Sequence, residues 1–217
     1  MIKENINKFI SKIPESVKLI AISKTKSVDE ILEAYNQGQR IFGENKIQEM
    51  TEKYNLLPKD IKWHMVGHVQ RNKIKYMAPY VDLIHGIDSF KSLKTINKEG
   101  KKNNRIIKCL LQLKISSEST KFGLEIDEIE EIINSKDYKE LTHTKICGIM
   151  AMASFTEDKN IIKDEFICAN KLYNQIKGND DNFEILSMGM SNDYELAIEC
   201  GSNMVRIGSS IFGSRNY

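Results

Sequence analysis

Short apolar stretches rich in Ile, Val, Leu and Met recur along the chain, and segments of a different period separate them. Eight such runs predict strands, at residues 18–23 (KLIAIS), 40–43, 63–67, 81–87, 106–115 (IIKCLLQLKI), 145–152, 183–188 and 204–208. Most are continuously apolar rather than alternating, as expected of parallel strands covered on both faces. The segments between them follow a helical period. Ser27-Val28-Asp29-Glu30 has the spacing of a capping box, so a helix is predicted to start at Ser27. Val28, Ile31, Leu32 and Tyr35 then share one face, and Gly38 is placed to end the helix. Ile126, Ile129, Ile132 and Ile133 repeat the pattern, as do Ile162, Phe166, Ala169, Tyr173 and Ile176. Eight β units with helical connections and no Pro- or Gly-rich linker predict an α/β chain folded as a single (β/α)8 barrel domain over residues 1–217. An open doubly wound sheet would have the same strand count, so closure is not decided by the pattern.

Charge and cysteine usage narrow the class. Lys and Arg total 32 against 30 Asp and Glu, a net charge of +2, which argues against a dedicated nucleic-acid surface. The densest basic run, Lys98 to Arg105, reads as a solvated helix end and loop. Cys109, Cys147, Cys168 and Cys200 are widely spaced, without the tight spacing of disulfide frameworks or zinc sites, so a reducing cytosol is expected. The N-terminal segment is charged and broken by Pro14, and it resembles neither a signal peptide nor a membrane span. A cytoplasmic globular domain is the expectation. Monomeric behaviour is expected too, since no long exposed apolar helix face asks for a partner.

Active sites in a (β/α)8 barrel form at the C-terminal ends of the strands. Those ends hold Lys24 after strand 1, Glu44 and Asn45 after strand 2, and Gly67, His68 and Gln70 after strand 3. Strand 4 ends near Asp88, strand 7 delivers Gly189, Met190 and Ser191, and strand 8 delivers Arg206, Gly208 and Ser209. A lysine directly after Leu19-Ile20-Ala21-Ile22 emerges at the barrel mouth, where partial desolvation frees its amine to attack an aldehyde. An ordinary strand-end lysine would look the same, and Lys26 is a decoy. Ser187 to Asp193 and Gly208-Ser209-Ser210 each place small and hydroxyl residues before a helix, a pattern that suits an anion cradle or plain helix capping. Arg206 lies within an apolar strand, where a charge needs a partner: a salt bridge, or a heteroaromatic ring nitrogen. His64 and His68 are four apart, so a metal pair is conceivable, yet no carboxylate or Cys pattern accompanies them and no metal is expected. His85 and His143 stand alone and read as structural. No Walker A or G-x-G-x-x-G motif is present.

Ala21-Ile22-Ser23-Lys24-Thr25-Lys26, Phe42-Gly43-Glu44-Asn45-Lys46-Ile47-Gln48-Glu49, Trp63-His64-Met65-Val66-Gly67 and Gln70-Arg71-Asn72-Lys73 stand in order along the chain. Leu186-Ser187-Met188-Gly189-Met190-Ser191-Asn192-Asp193, Val205-Arg206-Ile207-Gly208 and Ile211-Phe212-Gly213 complete the set. With these motifs the chain closely resembles the pyridoxal phosphate homeostasis protein family, whose members look like the barrel domain of alanine racemase standing alone. The resemblance implies that pyridoxal 5′-phosphate (PLP, the active form of vitamin B6) forms a Schiff base with Lys24. It implies that Ser191, Gly208 and Ser209 hold the phosphate, that Arg206 faces the pyridine nitrogen and that Asn45 lies near the ring. Ser187, Met190 and His64 would line the pocket. Departures from the family pattern are Ser209 in place of a frequent Thr, His68 at a position often small or Pro, and a proline missing from Ala151-Met152-Ala153-Ser154-Phe155.

Two roles compete for such a site. An arginine on the pyridine nitrogen disfavours its protonation and makes the ring a poorer electron sink. Racemisation tolerates a weak sink but needs an acid/base group on each face of the α-carbon. Lys24 can serve one face; in alanine racemase the other is served from a second domain of the partner subunit. This chain ends at Tyr217, about where the eighth unit ends, and nothing positions Tyr217, Tyr194 or His64 as a substitute. A PLP carrier for intracellular homeostasis, delivering cofactor to apo PLP-dependent enzymes, is therefore expected ahead of an amino-acid racemase.

Overall fold

The continuous apolar runs form eight parallel strands because each must bury both faces, one inside a barrel and one beneath helices. In the computed structural model, which describes residues 1–116 and 122–213, they close into one barrel in sequence order. The strands are β1 (Lys18–Ile22), β2 (Ile41–Glu44), β3 (Lys62–Met65), β4 (Leu83–Ile87), β5 (Ile107–Leu113), β6 (Thr144–Ala151), β7 (Ile185–Met190) and β8 (Met204–Ile207). Pairing of β1 with β8, Ile20 opposite Arg206, settles the closure that the sequence pattern left open. All eight predicted runs overlap a strand. The largest shift is in β7, which begins after a turn closed by Phe183 N–H donating to the Asp180 carbonyl and runs on through Met190.

Ten α-helices accompany the strands among the described residues: α1 (Ile2–Lys12), α2 (Val28–Tyr35), α3 (Ile47–Leu56), α4 (Ile74–Met77), α5 (Phe90–Lys102), α6 (Ile126–Asn134), α7 (Lys136–Lys139), α8 (Lys159–Lys177), α9 (Tyr194–Glu199) and α10 (Ser209–Phe212). The capping box at Ser27 forms with both of its bonds, and Gly38 takes φ +97° three residues after α2. The N-terminal segment before Pro14 is a helix. Ile2, Ile6 and Phe9 of α1 are buried against α2 and the short α10, and Asn5 Nδ2 donates to the Ile211 carbonyl at 3.1 Å. α10 has only four residues, and α1 packs against both it and α2, the helices that follow β8 and β1. The basic run is anchored rather than fully solvated, since Arg105 donates to the carbonyls of Ala78 and Val81 at 2.6 and 2.8 Å.

The core has two parts. Phe42, Trp63, Phe166 and Phe183 belong to the thick layer between sheet and helices, and Ile20, Leu83, Leu110, Cys147, Met150 and Met204 form a separate cluster within the barrel. The barrel closes tightly enough at β6–β7 that one position admits no side chain. Gly148 has φ +152°, and a Cβ there would lie 1.8 Å from the Ile185 carbonyl oxygen. Backbone cannot move aside as a side chain can. Gly148→Ala is therefore expected to cost at least about 3 kcal/mol, or to abolish soluble expression, as read by urea unfolding.

Candidate functional site

Lys24 stands on a turn directly after β1, half-buried at the C-terminal mouth, and each of its neighbours is tied down. Thr25 adopts φ +65°, a costly conformation for a β-branched residue, and its N–H donates to Glu49 Oε1 at 2.6 Å. Beneath the turn, Lys53 Nζ donates to the Ser23 carbonyl at 2.7 Å and pairs with Glu44 at 2.8 Å and Glu49 at 2.7 Å. Ser23 Oγ donates to Glu44 Oε1 at 2.6 Å. On the other side Lys26 is buried, its Nζ donating to the Phe212 carbonyl at 2.9 Å and pairing with Glu30 at 3.3 Å. The decoy lysine is thus a structural anchor joining the first and last strand ends. Strain at Thr25 persists because the surrounding bonds over-determine the turn, and the turn in turn fixes where Lys24 emerges.

Burial pushes the Glu44 carboxyl up to about 7, against the pull of Lys53 and Ser23, and Glu44 Oε2 has no hydrogen-bond partner among the described residues. A carboxyl raised in the folded state contributes stability below the unfolded value of 4.5 and loses it as pH climbs through about 7. Glu44→Gln removes this term. Its melting temperature is accordingly expected to rise relative to the parent between pH 5 and pH 8, which calorimetry at the two pH values would read.

Arg206 is buried on the inward face of β8. Nη1 donates to the carbonyl and hydroxyl of Ser187 at 2.9 and 2.7 Å, and Nη2 donates to the Ala151 carbonyl at 2.9 Å. These three bonds leave the Nε–H and one Nη2–H for a further acceptor at the mouth. Burial lowers its pKa to about 10, so the group stays a cation at neutral pH. Ser187 in turn lies 3.2 Å from His85 Nδ1, His85 Nε2 lies 3.0 Å from His64 Nδ1, and His64 Nε2 lies 3.3 Å from Asp82. The structure therefore does not bring His64 to the mouth. It sits inside the barrel with both ring nitrogens engaged, and it reaches Arg206 only through His85 and Ser187. His85, which reads as solitary in the sequence, is the middle of this chain.

The loops after β7 and β8 do meet. Gly208 N–H donates to Ser191 Oγ at 3.3 Å, and Ser209 Oγ donates to the same atom at 3.4 Å. Gly189 has φ +94°, and a Cβ there would lie 2.5 Å from Ala197 Cβ, so glycine is required for the chain to turn from β7 into α9. A hydroxyl pair and a backbone N–H converging on one point suit a phosphate. Half-buried Lys24 and buried Arg206 complete a donor set with one amine and one cation. Met190, partly exposed at the end of β7, and Asn45, half-buried after β2, flank this set. Asn45 is pressed by β3, since a Cβ at Gly67 would lie 2.4 Å from the Asn45 carbonyl oxygen.

His68 separates from His64. It is exposed at the rim, 3.1 Å from Asp88 and stacked on Phe122 with centroids 4.6 Å apart. In the loop after β6, the segment without a proline, Ser154 Oγ donates to Glu165 at 2.5 Å and lies 2.9 Å from Ser116 Oγ. Tyr217 lies outside the described residues. Sequence reasoning missed Lys53 and Asp82, and it read His85 as structural without its partners. For Lys53 a signal existed, because it falls on the buried Ile47–Met50 face of α3 and four residues after Glu49.

No helix among the described residues is long and apolar enough to cross a membrane. Residues 1–216 match the family described as "Alanine racemase, N-terminal domain". The curated pyridoxal phosphate homeostasis protein of Pasteurella multocida is 37% identical over 224 residues, covering 100% of this chain and 95% of that one. The Helicobacter pylori protein of the same name is also 37% identical, with 97% of each chain covered. Among solved structures, PipY of Synechococcus elongatus with PLP bound superimposes with a TM-score of 0.89 at 30% identity, over 98% of this chain and 100% of that one. Alanine racemase from E. faecalis gives 0.74 at 15% identity, covering 98% of this chain but 57% of the racemase, a likeness of fold alone.

Proposed function

The chain belongs to the pyridoxal phosphate homeostasis protein family, and from that premise we propose that it binds PLP at the C-terminal mouth of its barrel and serves intracellular PLP homeostasis as a reversible store and donor. The observation that carries the reading is the convergence of Lys24, Arg206 and the Ser191–Gly208–Ser209 cradle at one mouth, each group matched to a different part of the cofactor. PLP supplies, when bound, an aldehyde that an amine captures reversibly and a pyridine ring that can accept electrons. Lys24 is the amine, presented by the strained turn at Thr25. Ser191, Gly208 and Ser209 donate to the phosphate. Arg206 directs its remaining N–H donors at the ring nitrogen, and Asn45 and Met190 flank the ring. Ser187 and His64 belong to the support behind Arg206.

The same groups favour carriage over catalysis. A buried guanidinium is a donor with no acceptor and keeps its proton at neutral pH, so it opposes protonation of the ring nitrogen on which strong carbanion stabilisation depends. The rim admits exchange, since Ser209 is exposed and Lys24 half-buried. In this reading the protein works as a cytoplasmic monomer whose recipients are apo PLP-dependent enzymes.

The test loads the protein with PLP, removes free cofactor by dialysis and adds an apo PLP enzyme. Recovery of the recipient's activity faster than by the dialysate alone is the expected result. Failure to bind PLP, or retention of it against the apo enzyme, would remove the donor role. Amino-acid α-proton exchange in heavy water, dependent on Lys24, would put racemisation in its place.

A further inference from the structure

Arg206 poses an electrostatic problem. It is a buried cation, yet no carboxylate forms an ion pair with it among the described residues. Burying a charge without such compensation is costly. What it has is the carbonyls of Ser187 and Ala151, the Ser187 hydroxyl and, acting at longer range without an ion-pair contact, the charge of Asp193; behind Ser187 stand two imidazoles that are 0% and 2% exposed.

The protons in this chain are fixed by elimination. Arginine has no acceptor, so Arg206 Nη1 donates to Ser187 Oγ. Within the contacts made by this hydroxyl, its own proton then goes to His85 Nδ1. An imidazole that accepts at Nδ1 is neutral with its proton on Nε2, so His85 donates to His64 Nδ1. His64 likewise carries its proton on Nε2 and gives it to the Asp82 carboxylate. Every bond points the same way. Burial holds both imidazoles below the ordinary histidine range, as two neutral rings require. The hydrogen bond from His64, joined by the charges of Lys62 and Lys108, holds Asp82 below the ordinary carboxylate range.

The two ends of this chain lie at opposite mouths. Asp82 immediately precedes β4, with its side chain 47% exposed at the N-terminal mouth; Arg206 is the third of four residues in β8, facing the C-terminal mouth. We propose that Asp82, His64, His85 and Ser187 are positioning residues forming a one-way hydrogen-bond relay through the barrel, which compensates the buried Arg206 at the cofactor mouth with a carboxylate at the opposite mouth. Aligned hydrogen bonds in a low-dielectric interior polarise one another, so the carboxylate acts on the guanidinium without touching it. The relay also helps to orient Arg206, because it fixes the Ser187 hydroxyl to which Nη1 is committed. Its role toward the cofactor rests on the PLP reading above, whereas its proton arrangement does not.

The test separates the two. The chain has four histidines, so their ring nitrogens can be assigned in a ¹⁵N-labelled sample by single substitution. In the cofactor-free parent, His64 and His85 are expected as pure Nε2–H tautomers throughout neutral pH. Asp82→Ala, a change at an exposed position, is expected to leave the fold intact while both rings become tautomer mixtures. Asp82→Asn keeps an acceptor oxygen and is expected to restore the tautomers without the charge. An Nδ1–H tautomer in the parent, or a His85 signal unmoved by Asp82→Ala, would overturn the relay. In the PLP titration, Asp82→Ala is expected to raise Kd about five- to tenfold, the effect of roughly one lost hydrogen bond, with Asp82→Asn in between. Unchanged Kd in both variants overturns the compensation of Arg206. A parent that shows the tautomers but takes up no PLP refutes the cofactor reading and leaves the relay standing.

Discussion

Lys24→Ala is expected to eliminate the borohydride-stable PLP adduct that the parent protein forms, a complete loss read as the absence of the mass increment. Affinity is expected to fall with it by at least about a hundredfold, equivalent to some 2.7 kcal/mol. Residual binding should persist, because Ser191, Gly208 and Ser209 still offer their cradle and Arg206 its donors. Lys26→Ala gives the contrast. This second lysine is held by the Phe212 carbonyl and Glu30, so its loss is expected to lower the melting temperature while the adduct still forms. Adduct formation in Lys24→Ala at the parent's level would place the covalent site elsewhere. Two lysines two residues apart are thus predicted to fail in different measurements, one in chemistry and the other in stability.

Lys53→Met should be the most damaging single change in the support beneath that turn. It leaves Glu44 buried with Ser23 as its remaining partner, frees the Ser23 carbonyl and releases Glu49, which holds the Thr25 N–H. Removing one member of a buried ion pair typically costs about 3–5 kcal/mol, because the other charge remains without compensation. For a chain of this size that corresponds to a fall in melting temperature on the order of 10 °C. The cost should be larger at pH 8 than at pH 5, since the Glu44 carboxyl, already raised to about 7, can take up a proton and become neutral at the lower pH. Adding Glu44→Gln to Lys53→Met should therefore recover much of the loss at pH 8. Equal losses at both pH values, with no recovery in the double variant, would show that Lys53 acts by packing alone.

The strands were legible because their signal is local. A run such as Leu19-Ile20-Ala21-Ile22 is apolar at every position, and only a strand covered on both faces uses that. The same holds for the helix at Val28, whose capping box needs only Ser27 and Glu30. The shared place of Lys24, Ser191, Gly208 and Ser209 at strand ends was readable because (β/α)8 barrels gather strand ends at one mouth, so place in sequence predicts place in space. His64 followed a different rule. It lies within β3, one residue before the strand's end, and its side chain turns into the barrel toward His85 and Asp82 instead of emerging on a loop.

By itself, then, the sequence determined the eight parallel units and the family to which the chain belongs. Each of these rests on residues close together in the chain or on the order in which motifs follow one another. Only the tertiary structure decided that β8 closes on β1, that α1 packs against α2 and α10, that Lys53 is the buried counter-charge beneath Lys24 and that Asp82, His64 and His85 stand in line behind Arg206. Those contacts join residues on different strands and helices, and their strength depends on burial and on hydrogen-bond direction. Neither quantity exists until the barrel has closed and excluded water from its interior.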